Sequence, residues 1–135
     1  MKKKLIQIFT CAIVTIALLL VACSPGASWV LVSKVDSGKT ISVHVNQELI
    51  VDLESNQTTG FQWLLTEISD RTVLGEVSNL YTASAAGAPV GAGGIERWTF
   101  KGLKKGTTKL SMEYSRPWQG GEKAAETFTL TVVVE

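Results

Sequence analysis

The chain has 135 residues, 45% of them hydrophobic and 19% charged, with thirteen Lys and Arg against twelve Asp and Glu and a formal net charge of +1. That length supplies one ordinary domain with a single core and is too short for two. Without the three lysines at positions 2 to 4, ten basic side chains face twelve acidic ones, a net charge near −2, and no nucleic-acid signature remains.

The first segment is an export signal in pattern. Lys2, Lys3 and Lys4 form a basic start, and Leu5 to Val21 an apolar run broken only by Gln7, Thr10 and Thr15. The run ends in Leu20-Val21-Ala22-Cys23, which is similar to a bacterial lipobox: small Ala22 before the cut, and Cys23 supplying the sulfur that receives a diacylglycerol. An uncleaved transmembrane anchor is the alternative, but the run is shorter than the roughly 20 residues a spanning helix needs and leaves the cysteine without a role. Residues 1–22 are therefore expected to be removed, residues 23–28 to form a small-residue tether lipidated at Cys23, and residues 29–135 to form the domain. The expected location is the bacterial cell envelope, as an exported, membrane-anchored lipoprotein. Cys11 lies in the leader and Cys23 at the cut, and the chain has no other cysteine. The exported domain thus has no disulfide, no thiol nucleophile and no cysteine-based metal cluster, and its stability rests on packing.

Past the tether, short runs of β-branched and aromatic residues recur between turn residues, and no long helical period is present. Trp29 to Val35 leads into the turn Asp36-Ser37-Gly38-Lys39; Thr40 to Val45 alternates; Leu49 to Leu53 and Phe61 to Leu65 flank a polar loop. Ile68 to Leu74 fits a helical turn or a loose crossover. Thr82 to Gly94 is a long Ala, Gly, Ser and Pro stretch with hardly any core-forming side chain, expected to be mobile when free. Trp98 and Phe100 then share an inward face, with Glu96 on the same parity but expected to escape burial near a strand end. Leu110, Met112 and Tyr114 share another such face, and so do Phe128, Leu130, Val132 and Val134. Gly102 and Gly106 bracket a lysine-rich turn. The fold class is all-β, an immunoglobulin-like antiparallel β-sandwich, with Trp63 as a core tryptophan on a central strand.

Three loops carry the functional signal. Asn56-Gln57-Thr58-Thr59-Gly60 needs only a positive φ at Gly60 to be a plain turn; as a projecting loop it would present threonine backbone and hydroxyls to a partner. Gly91-Ala92-Gly93-Gly94 is followed by no lysine and opens no helix, so it is not a phosphate cradle. It is a flexible connector by composition, or a stretch whose glycines let backbone lie flat against another protein. Arg116-Pro117-Trp118 is either a strand-ending proline with a tryptophan packed on its own surface or an aromatic anchor, since Trp and Arg dominate binding hot spots. His44, the only histidine, lies on the polar face of an alternating run, where it faces solvent and serves no catalytic triad.

In this order and spacing the loops resemble those of the chagasin family of cysteine-protease inhibitors. The likeness is strongest at Asn56-Gln57-Thr58-Thr59-Gly60-Phe61-Gln62-Trp63, Gly91-Ala92-Gly93-Gly94-Ile95-Glu96 and Tyr114-Ser115-Arg116-Pro117-Trp118, and it runs from the first strand to the C-terminus. The resemblance implies an immunoglobulin-type sandwich whose first loop enters the catalytic cleft of a papain-like peptidase. Thr58 and Thr59 would lie nearest the enzyme's Cys-His pair, with Asn56 bracing the loop from within. The glycine loop and Arg116-Pro117-Trp118 would flank the cleft on opposite sides, with Trp118 packed on enzyme side chains. Gln57 stands where the family commonly has proline, and a looser loop loses more conformational entropy on docking.

The resulting expectation is a monomeric, non-enzymatic inhibitor of papain-like cysteine peptidases that acts by reversible occlusion, without cofactor or metal, and meets the membrane only through its lipid. The first alternative is a noncatalytic envelope adhesion or binding lipoprotein on the same sandwich, because fold alone does not fix function. A small envelope hydrolase is a third reading, and it would have to depend on His44.

Overall fold

The computed structural model describes residues 28–135; the expected leader, Cys23 and all of the tether but Ser28 lie outside the described residues. Eight strands follow in chain order: β1 (Trp29–Ser33), β2 (Thr40–Val43), β3 (Glu48–Ser55), β4 (Gln62–Ile68), β5 (Leu74–Ala83), β6 (Gly94–Gly102), β7 (Gly106–Ser115) and β8 (Glu126–Val134). Two short 3-10 turns, Lys34–Asp36 and Gln57–Thr59, interrupt them. Period-two alternation decides which side chains enter the core, as β8 shows: Phe128, Leu130, Val132 and Val134 are buried and the threonines between them are not.

The strands form two four-stranded sheets in the orders β1-β3-β6-β5 and β2-β8-β7-β4. Their inner faces meet in one core that includes Leu49, Val51 and Leu53 from β3, Trp98 and Phe100 from β6, and Leu110 and Met112 from β7. The all-β sandwich is as expected, but its ladders are mixed. β1 runs parallel to β3 and β2 parallel to β8, and the remaining pairs are antiparallel. The chain leaves the edge of the first sheet after Ser33, turns through Lys34–Asp36 and joins the edge of the second, so consecutive β1 and β2 never pair.

Two further expectations are corrected. Trp63 is buried, but β4 is an edge strand, not a central one; its burial comes from reaching across the sandwich, where the indole N–H donates to the Glu54 carbonyl at 2.9 Å. Residues 68–74, expected as a helical turn or a crossover, finish β4, make one turn in which the Asp70 carbonyl accepts from the Val73 and Leu74 amides, and cross to the other sheet to start β5 with Val73 and Leu74 in the core. Glu96 does face inward: it is only 2% exposed and pairs in register with Leu53. Its carboxylate escapes the cost of unpaired burial through hydrogen bonds described below.

Strand direction sorts the connections. The β3–β4, β5–β6 and β7–β8 loops emerge at one end. The entry to β1, the β2–β3, β4–β5 and β6–β7 turns and the C-terminus lie at the other.

Candidate functional site

The β3–β4 loop is built on Asn56. Its backbone N–H donates to the Tyr114 hydroxyl at 2.7 Å, and its carbonyl accepts from the Thr59 amide at 3.0 Å and the Thr59 hydroxyl at 2.6 Å. Its side-chain oxygen accepts from the Thr58 hydroxyl at 2.6 Å, while its side-chain nitrogen donates to the Gly91 carbonyl at 2.8 Å. One residue therefore braces its own loop and ties it to the next, 35 positions away. Gln57, Thr58 and Thr59 form an exposed 3-10 turn, and Gly60 closes it at φ +82°, a left-handed value that a side chain resists.

The β7–β8 loop folds back on that turn. The Trp118 ring lies over Gly60 so closely that any Cβ there would collide with it. The same indole remains 52% exposed, so it is both packed on its own domain and open to a partner. The Arg116 guanidinium lies 4.4 Å from the Phe61 ring centre and 6.0 Å from that of Trp118, within cation–π reach of both, and its Nε donates to the Thr59 carbonyl at 3.3 Å. The Arg116 amide donates to the Glu122 carbonyl at 2.8 Å, and the Lys123 ammonium donates to the Arg116 and Trp118 carbonyls. These bonds hold Arg116-Pro117-Trp118 as a compact hairpin with Pro117 exposed.

The β5–β6 loop is held mainly by backbone and small side chains. Ser84 bonds the Gly93 carbonyl through both its amide and its hydroxyl. A Cβ on Gly93 would lie 2.8 Å from the Ser55 carbonyl, and one on Gly94 would run into β5 backbone. Those two glycines are required by the fold itself. Gly91, at φ +85° with open space around the site of a Cβ, presents exposed backbone beside half-buried Ala92, its carbonyl held by the Asn56 side chain.

The structure thus brings all twelve expected site residues to one end: Asn56 to Gly60 in the middle, Gly91 to Gly94 on one side, Arg116 to Trp118 on the other. Three supporting residues had not been assigned a role from sequence. Ser55 and Glu96 are buried under the first loop. Tyr114 stacks on Phe61 at 5.1 Å and lies 5.2 Å from Trp63 while its hydroxyl reaches Asn56. The inward parity of Ser55 and Glu96, in step with Leu53 and Trp98, was the available signal. His44 sits exposed beyond β2 at the opposite end, far from this cluster. Among the described residues no group of His, Cys, Asp and Glu could hold a metal ion.

The loop end thus presents a projecting, internally braced loop flanked by a glycine loop and an exposed tryptophan. The profile of the Chagasin family peptidase inhibitor I42 matches residues 42–132, which include all three loops. The chain belongs to the chagasin family. Chagasin of Trypanosoma cruzi is 33% identical over 102 residues, covering 73% of this chain and 92% of its own. Among solved structures, the cysteine protease inhibitor EhICP2 of Entamoeba histolytica superposes with a TM-score of 0.67 at 23% identity, over 79% of this chain and 95% of that one. PbICP-C, solved in complex with falcipain-2, gives a TM-score of 0.53 at 22% identity, over 79% and 98%. At those two identities the likeness is one of fold. The chagasin-family assignment rests on the sequence matches.

Proposed function

We propose that this chain is a non-enzymatic protein inhibitor that reversibly occludes the active-site cleft of papain-like cysteine peptidases with the three loops at one end of its sandwich. Family membership supports the activity, and PbICP-C is a fold relative solved in complex with falcipain-2. The observation that carries the site is the convergence of the loops: Asn56 joins the first to the second, and Trp118 joins the third to the first. Thr58 and Thr59 form the wedge tip, supplying backbone and hydroxyls without a scissile bond in a cleavable extended strand. The Gly91 backbone and Trp118 make the two flanks, Trp118 with the area and rigidity of a hot-spot residue. Titrating the full-length protein into papain tests this. Competitive inhibition with the inhibitor left uncut is expected; turnover of the inhibitor, or no inhibition at stoichiometric excess, overturns it. Inhibition should survive His44→Ala, which separates the reading from a hydrolase.

The same proposal places the protein on the bacterial envelope by a lipid at Cys23. What supports this is the basic and apolar leader ending in Ala22-Cys23; the direction of β1 bears only on which way an anchored domain would face. The chain enters the sandwich at Trp29, at the end opposite the loops. A tether there leaves the wedge pointing away from the membrane, at a height of about 25 Å for strands of this length. Cys23→Ser should shift the protein from the membrane fraction or leave it unprocessed, since several acyl chains give stable attachment; wild-type protein in the soluble fraction would overturn the anchor and leave the inhibitor intact.

A further inference from the structure

Glu96 lies outside the loops, yet its position speaks to how the wedge is held. It is among the largest fully buried side chains, in a core otherwise filled mainly by apolar groups. One carboxylate oxygen accepts from the Ser55 hydroxyl at 2.6 Å, and both lie 3.2 Å from the Trp63 amide nitrogen. Ser55 is the last residue of β3 and Trp63 the second of β4, so these partners are the two stems of the Asn56–Gly60 loop. Those stems belong to different sheets, and β3 and β4 do not pair with one another. No backbone ladder closes the base of the loop; two side chains do, the Glu96 carboxylate and the Trp63 indole that donates to the Glu54 carbonyl, and of these Glu96 is the one that belongs to neither stem. Glu96 also follows the glycine loop by two residues, and Gly93 rests on the Ser55 carbonyl.

We infer that Glu96 is a positioning residue for inhibition, a carboxylate clip that fixes the separation of the two stems of the wedge loop and couples that loop to the glycine flank. The physical reason for an acid here is geometric. Only a group with several acceptor sites on one end can take a hydroxyl and a backbone N–H from strands on facing sheets, and charge-assisted bonds are the stronger kind. An apolar side chain of similar size would fill the space, leave the Trp63 amide and Ser55 hydroxyl unpaired, and let the stems drift. The inference rests on the inhibitor reading for its consequence but not for its geometry.

The test compares full-length wild type with Glu96→Leu, Glu96→Gln and Ser55→Ala. Val134→Ala, a core change at the far end, serves as a destabilised control. Thermal unfolding, papain inhibition and dissociation rate are measured for each, together with amide hydrogen exchange at Thr59 and Gly60, whose N–H groups bond within the wedge turn. Glu96→Leu should speed exchange at those two amides and raise the inhibition constant at least about tenfold, the scale of one lost hydrogen bond to a charged group. Ser55→Ala should do the same to a smaller extent, and Glu96→Gln, which keeps one acceptor oxygen, should recover much of the loss. Val134→Ala should lower the melting temperature with neither effect. Should Glu96→Leu fail to fold, Ser55→Ala against Val134→Ala decides. Equal inhibition and equal exchange in the clip variants and the control would overturn the inference. Absence of papain inhibition by wild type would instead strike the inhibitor reading, and the exchange measurement would still judge the clip.

Discussion

The two ends of the sandwich are closed in different ways. At the far end the seal is mainly apolar and the turns are short: Val73 and Leu74 plug the core, Gly102 exchanges backbone hydrogen bonds with the β2–β3 turn, and the one buried polar side chain there among the described residues, Thr108, accepts from the Asp70 amide at 2.8 Å. The Thr72 hydroxyl and amide, bonded to the Asp70 carboxyl, hold it below the ordinary carboxylate range. At the loop end the seal is polar, made of Ser55, Glu96 and Ser115, with an exposed tryptophan beyond it. Apolar closure yields stability. Polar closure yields fixed geometry for backbone that must stand clear of the core, and it lets exposed residues be tuned for a partner with little effect on folding. Changes at the two ends should therefore separate into two kinds of outcome.

The largest expected loss is in binding, from Thr58→Asp. The tip residue is exposed in the free protein and its hydroxyl bonds the Asn56 side chain within the loop, so the sandwich tolerates the charge at the loss of one surface bond. Docked in a peptidase cleft the carboxylate is desolvated without a partner, at a cost of about 3 kcal/mol or more. A melting temperature close to wild type with an inhibition constant raised more than a hundredfold is the expected pair of readings; a matching fall in both would tie the tip to folding.

Leu74→Ala is the converse at the far end. Removing a fully buried leucine should lower stability by about 2–5 kcal/mol, measured by denaturant unfolding, while the folded fraction inhibits with an unchanged constant. A weakened constant at full folding would mean that the far end transmits strain to the loops.

Trp118→Ala should weaken inhibition by about 2 kcal/mol, as loss of a buried anchor does, mainly through faster dissociation. Because the indole also covers Gly60, part of that loss is loosening of the wedge. A second variant, Trp118→Phe, apportions it: a phenyl ring that still covers Gly60 should restore the slow amide exchange of the turn more fully than the affinity.

The sequence exposed these regions unevenly, for physical reasons. β6, β7 and β8 were legible because one face of each is buried, which imposes a two-residue period. β5 was not singled out as a strand: it is a sheet edge exposed through most of its length, with a bulge between Glu76 and Ser78 that breaks parity. The parallel pairings of β1 and β2 leave no local mark, since alternation tells which face is buried and not which neighbour a strand meets. For the site, Asn56 as an internal brace was foreseen from family resemblance, and its bonds to Thr58 and Thr59 agree. Its bond to Gly91 and the cover of Gly60 by Trp118 join residues far apart in the chain and needed the fold. Glu96 was misplaced because a charged residue at a strand end is ordinarily solvated; only the partners on β3 and β4 make its burial tolerable.

The smallest expected effect concerns Gln57 and asks how rigid the wedge already is. Gln57 opens the 3-10 turn, and Asn56 before it lies outside the helical region at φ −127° and ψ 84°. Proline suits the first position of a helical turn, where the amide has no partner within the turn, and it disfavours only a helical conformation in the residue before it. The Gln57 carbonyl, which accepts from the Gly60 amide at 3.0 Å, is retained. Gln57→Pro should therefore remove freedom from the unbound and unfolded chain alone, tightening inhibition and raising stability by about 0.4–1 kcal/mol each. If stability rises and the inhibition constant does not move, the Asn56 bonds already hold the loop in its docking form. If inhibition weakens while stability rises, the Gln57 side chain itself touches the peptidase, and the loop end owes part of its affinity to a residue that departs from the family's common proline.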